Sequence, residues 1–198
     1  MSESREKQGK TTLYIASSVD GYIAGPNDDL SFLSIAEIPG EDYGYAEFME
    51  GIDVVITGRT TYEWVKEHAS NYVHNDKEAY IITHDPETRI EYPLITLEEI
   101  FDDDQPQKRV RTFTGDLGSL VSLLKSQGKR IFIEGGANII HQLMQHNLID
   151  EYFIATVPIL LGSGTRLFTE NYPEQKLELI EVLAYETSLV MMHYIRVA

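Results

Sequence analysis

A chain of 198 residues, 42% of them hydrophobic and 24% charged, can withdraw roughly 70% of its unfolded surface from water, so one domain with one core is expected and disorder is excluded. With 32 Asp and Glu against 16 Lys and Arg, the formal charge of −16 sets up a field that repels polyanions; nucleic acid is excluded as a partner, and any phosphate site must be made locally attractive by Arg side chains and helix N-termini. The absence of Cys excludes disulfides, thiolate metal sites and a cysteine nucleophile.

The first residues, MSESREKQGK, are polar and lack the apolar stretch of a secretory signal, and no uncharged apolar run is long enough for a bilayer. Residues 1–10 are expected to be a flexible tail and 11–198 a single domain of a cytoplasmic protein with no membrane contact. From Thr11, TTLYIAS is a β-branched and aromatic run that predicts a first strand. SVDGYIAGPNDD, punctuated by Asp-Gly, Gly-Pro and Asn-Asp, predicts a long loop. EDYGYAEFMEG places Tyr45, Phe48 and Met49 at helical spacing, IDVVIT reads as a buried strand, and TYEWVKEH is helical again. EAYIIT (Glu78–Thr83) and KRVRTFTG near Lys108 predict two more strands, and FDDDQPQ near Asp103 a solvated loop. DLGSLVSLLKSQG, with Leu117, Leu120, Val121 and Leu124 on one face, is an amphipathic helix; RIFIEGG is a strand ending in glycines, and ANIIHQLMQHN is a second amphipathic helix. This alternation predicts an α/β fold around a largely parallel sheet. KLELIEVLAYET and LVMMHYIRV are joined too closely for a crossover helix and predict a C-terminal antiparallel hairpin.

Four segments could carry chemistry. In VVITGRTTYE a buried strand runs into Gly58, and Thr60 with Glu63 matches a capping box. That predicts a helix N-terminus at the strand's carboxyl end, where free N–H groups favour an anion and Arg59 can pair with it; a capped helix with a surface Arg is an equal reading. In IFIEGGAN two adjacent glycines, Gly135 and Gly136, let backbone amides approach a pyrophosphate, a tight turn being the plainer alternative. Repetition of the strand-glycine-helix pattern sets both segments on one edge of a parallel sheet, where open α/β sheets bind ligands. No G-x-G-x-x-G follows a strand, no phosphate-loop motif is present, and the six His show no H-E-x-x-H spacing, so no metal site is expected. His141 and His146 read as helix-surface residues. SSVDGYIAG reads as a turn at Asp20-Gly21, and VPILLGSGTRLF as a packed loop closing over the sheet edge.

In this order and spacing, SVDGYIA, VVITGRTTYE, IFIEGGANI and VPILLGSGTRLF resemble the dihydrofolate reductase-like superfamily from Thr11 to Val197, most closely the branch containing the C-terminal reductase domain of the bifunctional riboflavin-biosynthesis deaminase-reductase. No segment resembles the zinc-binding deaminase half, so deamination is not implied. The resemblance implies a three-layer dihydrofolate reductase-like fold, binding of NADPH across the strand ends, reduction of a small pterin-like or riboflavin-precursor-like heterocycle, and a homodimer. By position it implies Ala16 against the nicotinamide through its backbone, and Ile23 and Ala24 in a loop closing over that ring. Gly58, Arg59, Thr60 and Thr61 would meet the adenosine-side phosphates, with Arg59 at the 2′-phosphate and Thr83 along the adenosine. Gly135, Gly136, Ala137 and Asn138 would cradle the pyrophosphate. For the substrate it implies a catalytic carboxylate on the helix after the first loop, falling near Asp42 or Gly44, and Asp20 of the S-x-D-G motif as a polar contact. Tyr45 and Phe48 would form an apolar wall, for which core packing is an equal reading. A nucleotide-binding or regulatory module that keeps the fold without turnover is the alternative function.

Overall fold

The structure, a computed structural model, describes residues 9–68, 74, 77–85, 94, 95 and 110–197. The apolar runs become strands β1 (Lys10–Ser18), β3 (Val54–Gly58), β4 (Glu78–Ile82), β5 (Leu94–Ile95), β6 (Val110–Phe113), β7 (Arg130–Gly135), β8 (Glu151–Val157), β10 (Lys176–Ala184) and β11 (Val190–Val197). They form one sheet in the order β10-β11-β8-β1-β7-β3-β4-β6-β5. From β8 to β5 every pairing is parallel, while β10, β11 and β8 pair antiparallel, which is the expected C-terminal hairpin. The strand near Lys108 is confirmed from Val110 onward; Lys108, FDDDQPQ and residues 1–8 lie outside the described residues.

The helices are α1 (Tyr45–Glu50), α2 (Arg59–His68), α3 (Leu117–Ser126) and α4 (Ala137–Gln145), with 3-10 turns at Pro26–Asp28 and Ser31–Ala36. Period-two alternation sends Leu13, Ile15, Val54, Ile56, Ile131 and Ile133 to one face of the sheet. There they meet Leu117, Leu120, Val121 and Leu124 of α3 and Ile139, Ile140 and Leu143 of α4. Each such fully buried side chain contributes about 1.5–3 kcal/mol. The opposite face carries Val55, Ala79, Ile81 and Phe132 under α1 and α2. Around Tyr14 this face is aromatic: Phe48 lies 4.8 Å and Phe153 5.5 Å from its ring centroid, and Phe48 meets Phe132 edge-on at 5.2 Å. Such pairs add about 0.5–1.5 kcal/mol each beyond their buried area.

Two local expectations change. The long loop after β1 contains a short strand, β2 (Tyr22–Ala24), which pairs antiparallel with β9 (Thr165–Arg166) from the glycine-rich connection. Ile23 and Ala24 are therefore held in a two-stranded sheet instead of a loop. The capping box is not formed either: β3 passes directly into α2, whose first residue is Arg59, so Thr60 is already inside the first turn. Gly58 is paired with Ile82 in the sheet, and that pairing decides where the helix starts. Glu63 faces Arg59 at 3.8 Å, one helical turn away.

Candidate functional site

The sheet order places β7 between β1 and β3, which sets the two glycine turns side by side with Thr57 opposite Gly135. The contact is close. A methyl group at Gly58 would sit 3.4 Å from both the Gly135 carbonyl O and the Gly136 N, and one at Gly136 would sit 3.2 Å from Thr61 Oγ1. Segments 58–61 and 135–138, more than 70 residues apart in sequence, therefore form one cradle. Helices α2 and α4 both begin in it, and Gly136 caps α4 without any side-chain hydrogen bond, so first-turn N–H groups stay available for an anion. The Gly135–Gly136 peptide is cis.

Either side of the cradle the same edge continues. Ala16 lies two residues before the end of β1, and Thr83 follows β4, so Ala16, the cradle and Thr83 span three strand spacings, roughly 14 Å. Thr83 is buried, and its hydroxyl accepts from the Asp85 amide at 3.2 Å, which shapes the turn after β4. Asn138, exposed in the first turn of α4, accepts from Gln142 at 2.9 Å, and the Gln142 amide lies 3.4 Å from His84 Nε2, tying the end of β4 to α4. Thr60 is exposed beside Arg59.

Next to Ala16, on the aromatic face, opens a cavity of about 420 Å³. Its floor follows from register: Ala16 lies opposite Ala155, and Ala155 opposite Met191. Two small side chains side by side leave room that larger ones would fill. Tyr14 and Tyr45 line it, Leu189 and Met191 wall it, and Glu37, Glu41 and Asp42 are among its lining residues. The Tyr14 hydroxyl donates to the Tyr43 carbonyl at 3.0 Å, and burial, then Tyr185 and Asp42, push its pKa up to about 12. Burial, then the nearby Glu134, raises that of Tyr45 as well, so both phenols keep their protons at neutral pH. Asp42 accepts from the Gly44 and Ala46 amides at 2.9 and 3.0 Å, which orients its carboxylate and closes the start of α1. Asp42 thus precedes the helix instead of standing on it.

Other expected substrate contacts are placed differently. Phe48 is not among the residues lining the cavity; half-buried, its ring packs against Tyr14, Phe132 and Phe153 at the edge of the core. The Asp20 carboxylate is engaged within the protein: it accepts from Ser18 Oγ at 2.6 Å and from the Gly162 and Leu161 amides at 2.7 and 3.0 Å. The Ser18 hydroxyl foremost, with those amides, holds its pKa down to about 2. Its geometry is that of a fastener between the first motif and the fourth. The same junction carries the Leu167 N–H to Gly21 O bond at 2.9 Å and the Arg166 guanidinium 4.6 Å over the Tyr22 ring. Gly164 sits in it at φ +131, where a methyl group would lie 2.1 Å from the Ala24 carbonyl O.

Sequence reasoning missed Tyr14, Ala155, Leu189 and Met191, because nothing local announces which strands flank β1. It also missed the buried pair of His74 Nε2 and Glu134 Oε1, 2.9 Å apart, which lies against Phe132. Among the described residues, no group of three or more His, Cys, Asp or Glu could hold a metal ion, and no helix is long and apolar enough to cross a membrane.

Comparison with known proteins agrees with this architecture. The sequence profile of the family described as RibD C-terminal domain matches residues 10–191. The chain is 35% identical over 188 residues, 94% of its length and 98% of the relative's, to the uncharacterized protein YwjB of Bacillus subtilis (strain 168). Its structure superposes with a TM-score of 0.78 and 26% identity, over 96% of this chain and 99% of the other, on a Shewanella sp. PV-4 protein named for riboflavin biosynthesis. Dihydrofolate reductase from Enterococcus faecalis, complexed with NADP(H), gives a TM-score of 0.56 over 96% of this chain and 98% of that one; at 14% identity the likeness is one of fold.

Proposed function

Because the chain belongs to the RibD C-terminal domain family, a family of reductase-type domains, we propose that it is an NADPH-dependent reductase of a small heterocycle bound in the cavity over Ala16. The observation that carries this reading is the joint cradle of Gly58–Thr61 and Gly135–Asn138, in which side-chain atoms are missing where a diphosphate must approach: a methyl group at Gly136 would already be 3.2 Å from Thr61 Oγ1. NADPH, when bound, supplies the hydride. The chain's own residues do the rest. The α2 and α4 N-termini and Arg59 would hold the phosphates in an otherwise acidic molecule. Arg59 is exposed at the first position of α2, with Glu63 3.8 Å from its guanidinium one turn on. Ala16 would form the floor under the reacting ring, with Ile23 and Ala24 beside it. Asp42 would orient the substrate through the acceptor capacity that its two backbone bonds leave. Asp20 is a positioning residue that fixes the β2–β9 junction beside the site.

Titration of NADPH and NADH into wild type and Arg59→Ala tests the cofactor assignment. Expected is a loss of at least tenfold in NADPH affinity with NADH little changed. If neither nucleotide binds wild type, the reductase reading is wrong.

We further propose that the working unit is a homodimer formed through β10. That strand ends the sheet, and Leu179, Ile180, Val182 and Leu183 on it are 43–51% exposed. An uncovered apolar edge strand is a template for pairing with a second copy. Sedimentation equilibrium is expected to give twice the chain mass, and Ile180→Lys a monomer; a monomeric wild type would refute the dimer.

A further inference from the structure

We infer that Tyr43 is a positioning residue of the candidate site: it locks the segment that carries Asp42 to β1 on one side and to the turn of the C-terminal hairpin on the other, so that the hairpin fixes where the Asp42 carboxylate stands. The lock follows from contacts alone; its use in the reaction rests on the reductase reading, in which Asp42 orients the substrate. The backbone of Tyr43 is at φ +58, and that of Gly44 after it at φ +83. Glycine adopts that region freely, but a bulky L side chain does so only where its surroundings hold it there, and such outliers gather at functional sites. Within its own loop the hold is slight, an exposed bond in which the Tyr43 amide donates to Glu41 Oε1 at 2.7 Å. The rest comes from elsewhere in the chain.

Tyr14 on β1 donates its hydroxyl to the Tyr43 carbonyl at 3.0 Å. The Tyr43 hydroxyl donates to the Ala36 carbonyl, at the end of the second 3-10 turn, and lies 3.3 Å from Thr187 Oγ1, 144 positions on. Its ring meets that of Tyr185 edge-on, with centroids 4.6 Å apart. Tyr185 and Thr187 are set in turn by the hairpin: the Tyr185 N–H donates to the Leu189 carbonyl and the Ser188 N–H to the Tyr185 carbonyl, both at 2.9 Å. Leu189, next along, is buried and lines the cavity. One turn thus supplies both a wall of the cavity and the clamp on its rim. Asp42 is caught between these anchors. Its carbonyl accepts from the Tyr45 amide, and its carboxylate oxygens accept from the Gly44 and Ala46 amides, so its direction follows the backbone on the far side of Tyr43. Burial raises the pKa of both Tyr14 and Tyr185, and Asp42 adds to each shift, which sets its charge near both phenols.

Amide proton NMR on isotopically labelled protein, without nucleotide, tests this by reading the Gly44 and Ala46 N–H groups. Their resonances lie downfield while a carboxylate accepts from them, and Asp42→Ala marks their positions without it. Tyr185→Ala is expected to move both resonances toward the Asp42→Ala values and to speed their hydrogen exchange roughly tenfold, while Leu13 and Ile133 in the centre of the sheet stay as protected as in wild type. Tyr43→Phe, which keeps the ring and loses the hydroxyl, is expected to give a smaller change in the same direction, and Tyr185→Phe, which keeps the clamping ring, to show the wild-type signature. Wild-type shifts and exchange at Gly44 and Ala46 in Tyr185→Ala would overturn the inference. So would an equal loss of protection at Leu13 and Ile133, which would make Tyr185 a structural residue only. Where Tyr185→Ala does not fold, Tyr43→Phe decides: an unchanged signature in it overturns the inference. A locked rim in a protein that binds no NADPH would refute the reductase reading and leave the lock standing.

Discussion

Gly164→Ala is expected to lower the melting temperature by roughly 6–12 °C. The residue sits at φ +131, a region that costs an L residue about 1–3 kcal/mol, and the new methyl would overlap the Ala24 carbonyl O at 2.1 Å. Relieving that overlap means parting β2 from β9, an overpacking cost of about 1–3 kcal/mol. A total near 3 kcal/mol translates into that shift for a chain of this size, at about 2–4 °C per kcal/mol. Gly162→Ala is the matched control: its φ is +74 and a methyl there meets nothing within 4 Å, so a loss of only about 1 kcal/mol is expected. Differential scanning calorimetry on the pair decides it; equal shifts would mean that the overlap is relieved at no cost and the junction is soft. The same junction has an acid signature. The folded pKa of Asp20 is depressed to about 2, so its contribution to stability is fully present above its unfolded value, near 4, and is lost as pH falls from there through 2. Asp20→Asn should therefore flatten the acid branch of the stability profile in that window.

Gly136→Val is expected to weaken NADPH binding at least a hundredfold, equivalent to about 2.8 kcal/mol, while leaving the fold intact. The backbone at Gly136 is extended, with φ −83 and ψ −160, so a branched side chain is admissible there. Its methyls would occupy the notch between Thr61 and the start of α4, where a Cβ alone already lies 3.2 Å from Thr61 Oγ1. Gly136→Ala should show an intermediate loss. Nucleotide fluorescence titration on both variants gives the series; wild-type affinity in the valine variant would show that the cradle does not hold the nucleotide.

Much of the architecture is legible along the chain because it is written in short-range periodicity. The apolar face Leu117, Leu120, Val121 and Leu124 is buried as its spacing predicts, and the C-terminal hairpin follows from the short link between its strands. The start of α2 is an instructive failure. Thr60 and Glu63 favour a cap by local chemistry, but the pairing of Gly58 with Ile82 carries the strand to the residue before Arg59 and leaves the capping box unused. Phe48 stays open in the sequence for a related reason: an aromatic at helical spacing reads alike whether it faces a ligand or, as here, neighbouring rings, and the structure takes the packing alternative.

The sequence by itself determined the helices and the strands of the central alternation and the C-terminal hairpin, though not β2, β8 or β9, and that any anion site must be local in so acidic a molecule. Only the tertiary structure decided which strands are neighbours, and every element of the site depends on that. Insertion of β7 between β1 and β3 makes one cradle from two glycine turns, and β8 beside β1 makes a cavity floor from Ala16 and Ala155. Folding of the glycine-rich connection onto the first motif turns Asp20 from a free carboxylate into a fastener for residues 141 and 142 positions away. Side-chain periodicity reports whether a face is buried, not what covers it; strand order and register are settled by the packing of the whole core, so contacts at such separations have no local signature.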